Sequence, residues 1–429
     1  MFGFANFLLL ALFAAAVFDL IFALARGGGL RGALHGLWNT PHLLFGQQLA
    51  EWRLQLGRIL FAAGLAAYEI SVVFCNSMAR QNWAWVQGVM SPVLEWLAFL
   101  CFGAKILFGT RYTWRELLTG GALYFIARWV YFNSQNIWWI GIVVAVLAAK
   151  DVPLRRPLQV YFASGCAAMA VVLALHFAGI VAPDLTSERM GALRGTYGYG
   201  HPNTFGGLVF GLVLAYALLR AQKVLWVDCL LVFAVGVFLL VGPASRSAAL
   251  CTLALAVGLV FCRLRAGHSV PRWWPGTCAG MVGLTAAVSY FLPLLVIKVG
   301  PWNNDIGPAW LAKLDSLLTC RISLTWMAYR LLDVKIAGQV FNWPTVDNSF
   351  AFALFQFGPV VAALLGILFA AALWGHAKQG RRVEVCCLFA MLAYAYMEVQ
   401  PFHLTTNPTA LLLCGAVFAQ TSARWQKIE

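Results

Sequence analysis

Runs of roughly 20 apolar residues, the length a helix needs to cross a bilayer, recur along the chain with short polar segments between them. They lack the strict alternation of barrel strands, and backbone in lipid must satisfy its own hydrogen bonds, so they predict helices. Met1 to Ala25 comes first, with neither the basic start nor the small-residue cleavage site of a signal peptide, and reads as a retained span. Further spans are expected over Ile59 to Cys75, over Trp83 to Phe108 with a break at Ser91-Pro92, over Leu117 to Phe132, and in a run ending at Ala149. Then come Leu158 to Val181, Asn203 to Leu219, Val224 to Val241, Ala248 to Cys262, Thr277 to Val299, Phe350 to Trp374, Val383 to Met397 and Pro408 to Thr421. The fold class is therefore an all-α polytopic membrane protein of about 12–13 transmembrane helices. Thirteen spans put Met1 outside and twelve put it inside.

One stretch breaks the pattern. Between Lys298 and Ser349 the chain turns polar, opening with Pro301, Trp302, Asn303, Asn304 and Asp305 and closing with Val346-Asp347-Asn348-Ser349-Phe350. Inside it Leu314, Leu317, Leu318, Ile322, Leu324, Ala328 and Leu331 recur at spacings of three and four. That period predicts an amphipathic helix lying on the membrane surface. A connection this long inside a compact domain is usually functional.

Composition strengthens the membrane reading: of 429 residues, 62% are hydrophobic and 11% charged, and the mean hydropathy is +0.78. The whole chain, 1–429, reads as a single integral membrane domain. A formal charge of +14 would suggest nucleic acid only if the basic residues shared a soluble face, and here they fall between spans. The 11 cysteines contain no Cys-x-x-Cys pair and mostly sit inside apolar runs, so they predict packing residues, with Cys320 alone clearly in the large loop. No metal-ligand spacing is present. The positive-inside rule assigns 150–156, 220–223, 263–272, 378–382 and the C-terminus, with Arg424 and Lys427, to the cytoplasm. The loops 183–201 and 299–348, the 242–247 turn and 400–407 then share the outer face, which becomes the expected active-site face.

The candidate chemistry gathers there. Arg194 and Asp184 lie in the first of these loops, Arg246 stands between Ser245 and Ser247 in a tight turn, and Arg321 lies in the large loop. Charges held at a membrane boundary are functional candidates, and planar guanidinium forks near a helix N-terminus at Pro202-Asn203 suit a phosphate or diphosphate. Asp347 and His201 are the acid-base candidates, with Asn203, Ser245, Ser247, Asn348 and Ser349 in support and Glu398 and His403 in reserve. Plain structural roles compete with each of these. The arginines snorkel readily, His201 can cap or pack, and Asp347 can cap the helix starting near Ser349. His176, His268 and His376 read as packing residues. Trp302, Trp310, Tyr197 and Tyr199 could stack on sugars, although aromatic residues collect at every membrane interface.

Four segments taken in order, Gly198-Tyr199-Gly200-His201-Pro202-Asn203-Thr204-Phe205-Gly206, Ser245-Arg246-Ser247, Leu318-Thr319-Cys320-Arg321-Ile322 and Val346-Asp347-Asn348-Ser349-Phe350, resemble the successive signatures of Wzy-type oligosaccharide repeat-unit polymerases. That family belongs to the O-antigen polymerase and O-antigen ligase superfamily, and the resemblance covers residues 190–360. It implies a metal-independent, inverting glycosyltransferase of GT-C type in the bacterial cytoplasmic (inner) membrane, acting on undecaprenyl diphosphate-linked repeat units at the outer face. No cofactor is implied, since the lipid carrier is part of the substrate. Donor and acceptor would both be lipid-linked oligosaccharides, the product a surface polysaccharide, and a chain-length regulator and a flippase the protein partners, with no nucleic acid. By the same resemblance Arg194, Arg246 and Arg321 would bind the diphosphate, and Asp347, or else His201, would be the catalytic base. Some ligases carry His where this chain has Asp347. A ligase transferring the glycan to another acceptor is the near alternative, and a polysaccharide transporter or flippase the distant one. A transporter would be expected to show duplicated halves and broken midplane helices, and no internal repeat is visible.

Overall fold

The structure is a computed structural model that describes residues 2–26, 29–46, 50–181, 187–189, 192–297 and 307–418. Asp184, residues 301–305 with Trp302, Arg424 and Lys427 lie outside the described residues.

The apolar runs become helices, as their length and lack of internal polarity require. Among the described residues, 8 helices are long and apolar enough to cross a bilayer, from Asn6–Ala25 to Pro359–Lys378. The other expected spans are the helices Trp114–Ser134, Ile137–Ala148, Trp226–Val241, Arg382–Met397 and the segment Pro408–Val417. Most of these are short. The 12 residues of Ile137–Ala148 rise only about 18 Å, against a hydrocarbon core of ~30 Å. Nearly all of that helix is buried in protein, which is where a helix too short to span can be accommodated. Pro408–Leu413 is a 3-10 turn leading into the single helical turn Cys414–Val417.

Several expected boundaries move. The helix expected from Ile59 begins at Ala50, so Arg53 and Arg58 lie within it, and the basic segment before it contains the helix Gly29–Asn39. The Ser91-Pro92 interruption is no break: a π-helical turn, Val86–Met90, runs directly into the helix Ser91–Phe108. The run from Phe350 to Trp374 does break. Its first part is the turn Ser349–Phe352 followed by the π turn Ala353–Phe357. Gly358 then adopts φ 87°, ψ 163°, a region reached essentially by glycine alone, and Pro359 starts the next helix. Small antiparallel pairs, His42–Leu43 with Arg111–Tyr112 and Ser187–Arg189 with Ala192–Arg194, add short strands to the helical fold.

The amphipathic segment also differs from expectation. It is two helices, Ala309–Leu317 and Arg321–Leu331, separated by Leu318, Thr319 and Cys320, the last two at φ 61° and 63°. Buried Asp315 explains the break, because its Oδ1 accepts the backbone N–H groups of Ile322 (2.8 Å) and Ser323 (3.2 Å). It thereby caps the second helix from the end of the first. Leu311 and Ile322 pack with Val296, and Ala328 with Val346, Ala351 and Phe355, so this face lies on protein.

The helices Pro202–Leu219 and Arg246–Leu264 begin, and Arg382–Met397 ends, at one end of the bundle beneath this loop. The helix Ala50–Cys75 is drawn to the same end, where Met78 N–H donates to the Gly198 carbonyl at 2.8 Å and Ser77 pairs with Tyr199.

Candidate functional site

Asn203 lies one residue inside the helix that Pro202 opens, and the helix is capped by His201, whose Nδ1 accepts the Asn203 backbone N–H at 3.1 Å. The Asn203 side chain joins two halves of a polar network. Its Oδ1 accepts from Arg194 Nη2 at 2.9 Å, and its Nδ2 donates to Glu398 Oε1 at 3.1 Å. Arg194, 8% exposed, also donates to the Ala244 and Pro243 carbonyls at 3.2 and 3.4 Å. That ties the loop before His201 to the 242–247 turn.

Glu398, held in reserve on sequence grounds, is the hub. Its Oε1 accepts from Ser247 Oγ at 2.6 Å and Arg321 Nη2 at 2.6 Å as well as from Asn203. Arg321 is fully engaged, with Nη1 on the Leu318 carbonyl at 2.9 Å and Nε on the Met397 carbonyl. Ser349 Oγ donates to the Glu398 carbonyl at 2.6 Å. Gln400 Nε2 donates to the Asn203 carbonyl at 3.2 Å while Gln400 Oε1 accepts from Tyr394 at 2.7 Å. Neither Gln400 nor Tyr394 was foreseen. The one visible signal for this region was a carboxylate, Glu398, at the end of an apolar run.

Asp347 stands beside this network with a side chain 30% exposed and Oδ2 3.9 Å from Arg321 Nη2. Burial raises its carboxyl above the ordinary range, against the opposing pull of Arg321 and His201. It does not cap the following helix. That role belongs to Asn348, whose Oδ1 accepts from Phe350 N–H (2.9 Å) and Ala351 N–H (3.1 Å) while its Nδ2 donates to Ser289. Asp347 is thus left available. His201 is not, because the nitrogen that accepts the Asn203 N–H cannot also take a substrate proton while the cap is made. Surrounding protein and Arg194 hold its pKa below the usual value, although Asp347 pulls the other way.

The expected residues therefore divide. Arg194, Asn203, Ser245, Ser247, Arg321 and Ser349 belong to the network around Glu398, Arg194 and Ser245 through Asn203, with Ser245 Oγ 3.5 Å from Asn203 Oδ1, and Asp347 stands at its edge. Arg246, the first residue of its helix, is exposed and has no hydrogen-bonded or ion-paired partner among the described residues. Two guanidinium groups and two carboxylates balance within the network, and Arg246 adds an unpaired positive charge at its edge. Tyr199 is fully buried and Tyr197 packs on Phe205 and Phe238, so both are packing residues. Trp310 is 55% exposed. His403 packs against Trp138, with ring centroids 3.8 Å apart and the rings tilted by 39°. Among the described residues no group of three or more His, Cys, Asp or Glu is placed to hold a metal ion.

No model of a known protein family matches the chain, and no similar chain was found among curated proteins or solved structures.

Proposed function

We propose that the chain is an inverting, metal-independent glycosyltransferase of GT-C type that polymerises undecaprenyl diphosphate-linked oligosaccharide repeat units at the outer face of the bacterial inner membrane. The observation carrying this reading is Asp347. It is a partly exposed carboxylate with a raised pKa, beside a buried Arg321–Glu398 pair, and it has no capping duty, since Asn348 caps the helix.

In this reading the acceptor hydroxyl attacks the anomeric carbon of the donor, and its proton passes to Asp347. The bond from that carbon to the diphosphate oxygen breaks, and undecaprenyl diphosphate leaves with the electron pair. Arg246, with its free guanidinium, is the first contact for the departing charge. Arg321 holds Glu398 and keeps Asp347 ionisable, while Arg194 fixes Asn203 and the 242–247 turn, so these two arginines position more than they bind. An apolar cavity of about 140 Å³ bordered by Ser349, Phe350, Trp139, Leu365 and Met391 offers walls suited to a prenyl chain.

Deleting the gene and complementing it tests the reading. Wild type should restore a ladder of surface glycan from a single repeat unit, and Asp347→Asn should not. An intact ladder missing from its final acceptor would favour a ligase; lipid-linked units trapped on the cytoplasmic side would favour a flippase.

A further inference from the structure

The helices that carry the site at one end carry a basic cavity at the other. Pro202–Leu219, Arg246–Leu264 and Arg382–Met397 hold 18, 19 and 16 residues. At 1.5 Å per residue their ends are about 24–28 Å apart, close to the thickness of a hydrocarbon core. At the end remote from Glu398, a cavity of about 420 Å³ is walled by Lys223, Arg263, Arg381 and Arg382, with Glu384 as the one carboxylate among its described lining residues.

The four cations are not equivalent. Arg382 braces the wall, donating to the Arg265 carbonyl at 2.8 Å and to the His268 carbonyl. Glu384 accepts its own backbone N–H and faces Arg381. Lys223, Arg263 and Arg381 have no hydrogen-bonded partner for their side chains among the described residues. Gly267 (φ 81°) and Gly380 (φ 71°) turn the chain at the cavity with no side chain to fill it.

Like charges gathered in a concavity focus a positive potential that an anion relieves. Two planar forks and an ammonium, at the boundary of apolar helices, match phosphate oxygens better than a carboxylate on a mobile chain. Basic pockets between helix ends at the membrane interface are typical seats for phosphate headgroups. We propose that this cavity binds a phosphate-bearing anion through Lys223, Arg263 and Arg381, at the interface opposite the candidate active site.

The full chain in neutral detergent is titrated with dioleoyl phosphatidylglycerol, followed by native mass spectrometry, and separately with inorganic phosphate, followed by calorimetry. Each probe is also applied to Arg263→Gln/Arg381→Gln and to Arg115→Gln, an exposed basic position outside the cavity. One equivalent should bind to wild type and Arg115→Gln, and about 25-fold more weakly to the double variant, taking roughly fivefold per basic contact. Binding of the lipid but not phosphate identifies a headgroup site, and binding of phosphate alone a site for a soluble anion. Should the double variant aggregate, Lys223→Gln is used, with about fivefold weakening expected. No binding of either probe, or equal binding to wild type and variant, overturns the proposal.

Discussion

Gly206 offers a sharp test of how the site is held together. A Cβ built there would lie 2.5 Å from Ser245 Cβ, in contact with Ser245 Oγ, and 3.3 Å from Ala248 Cβ. Ordinary contact between such carbons is about 3.5–4 Å, so in Gly206→Ala the helix and the 242–247 turn must part by about 1 Å. Ser245 Cβ is fixed to its backbone and cannot swing aside. Overpacking of this kind costs about 1–3 kcal/mol, and the helix preference of alanine over glycine returns about 1 kcal/mol, so the net loss of stability is modest. The site suffers more. Asn203, one turn earlier on the same helix, bonds Glu398 at 3.1 Å, and a 1 Å displacement carries that contact beyond hydrogen-bond range. Misplacement on this scale costs roughly 100-fold in rate. The assay is glycan chain length in a complemented deletion strain, normalised to protein in the membrane fraction. Gly280→Ala, where a Cβ meets nothing within 4 Å, serves as the control and should behave as wild type. Adding Ser245→Gly to Gly206→Ala removes the clashing atoms and should restore most of the activity. Normal chain length in Gly206→Ala, or failure of the second change to rescue it, would refute the proposed coupling between this contact and the site.

Other consequences are equally open to measurement. Asp347→Asn should lower polymerisation about 100- to 10,000-fold, the usual range for a general base, with unchanged protein in the membrane; a wild-type rate would remove Asp347 from the base role. Because burial raises the Asp347 pKa, its basic form is lost as pH falls through that raised value. The acid limb of the pH–rate profile should therefore lie above that of an ordinary carboxylate and vanish in Asp347→Asn. Arg246→Ala should cost about 2–5 kcal/mol at the transition state, and Arg246→Lys should recover only part; full recovery by lysine would show that a point charge suffices. Asn348→Ala removes two cap bonds and should destabilise the fold by about 1–2 kcal/mol, read as unfolding free energy in mixed micelles, and no change would contradict the capping role.

Much of the architecture was legible because lipid makes the burial pattern explicit: a helix that must satisfy its backbone in hydrocarbon shows as an unbroken apolar run. Arg194, Asn203, Ser247, Arg321 and Asp347 stood out for the converse reason, as polar residues in the segments between such runs or at their ends. Glu398 was harder to rank, since one carboxylate at a helix end carries no sign of the three donors that meet it from distant segments. The two-helix form of the large loop depends on Asp315 reaching Ile322 and Ser323, a contact that periodicity does not register. The break at Gly358-Pro359 was visible as a dipeptide that punctuates helices, yet the hydropathy of the surrounding run concealed it. Choosing between Asp347 and Asn348 as the cap required the direction of each side chain, which neighbouring positions in a sequence do not reveal.

The central claim is that this chain forms glycosidic bonds from a lipid diphosphate donor. Purified protein in vesicles, incubated with polyprenyl diphosphate-linked repeat units, measures that directly. Products lengthened by whole repeat units are expected, with one polyprenyl diphosphate released per bond, and none with Asp347→Asn. Repeat units that stay monomeric while moving across the bilayer would contradict it.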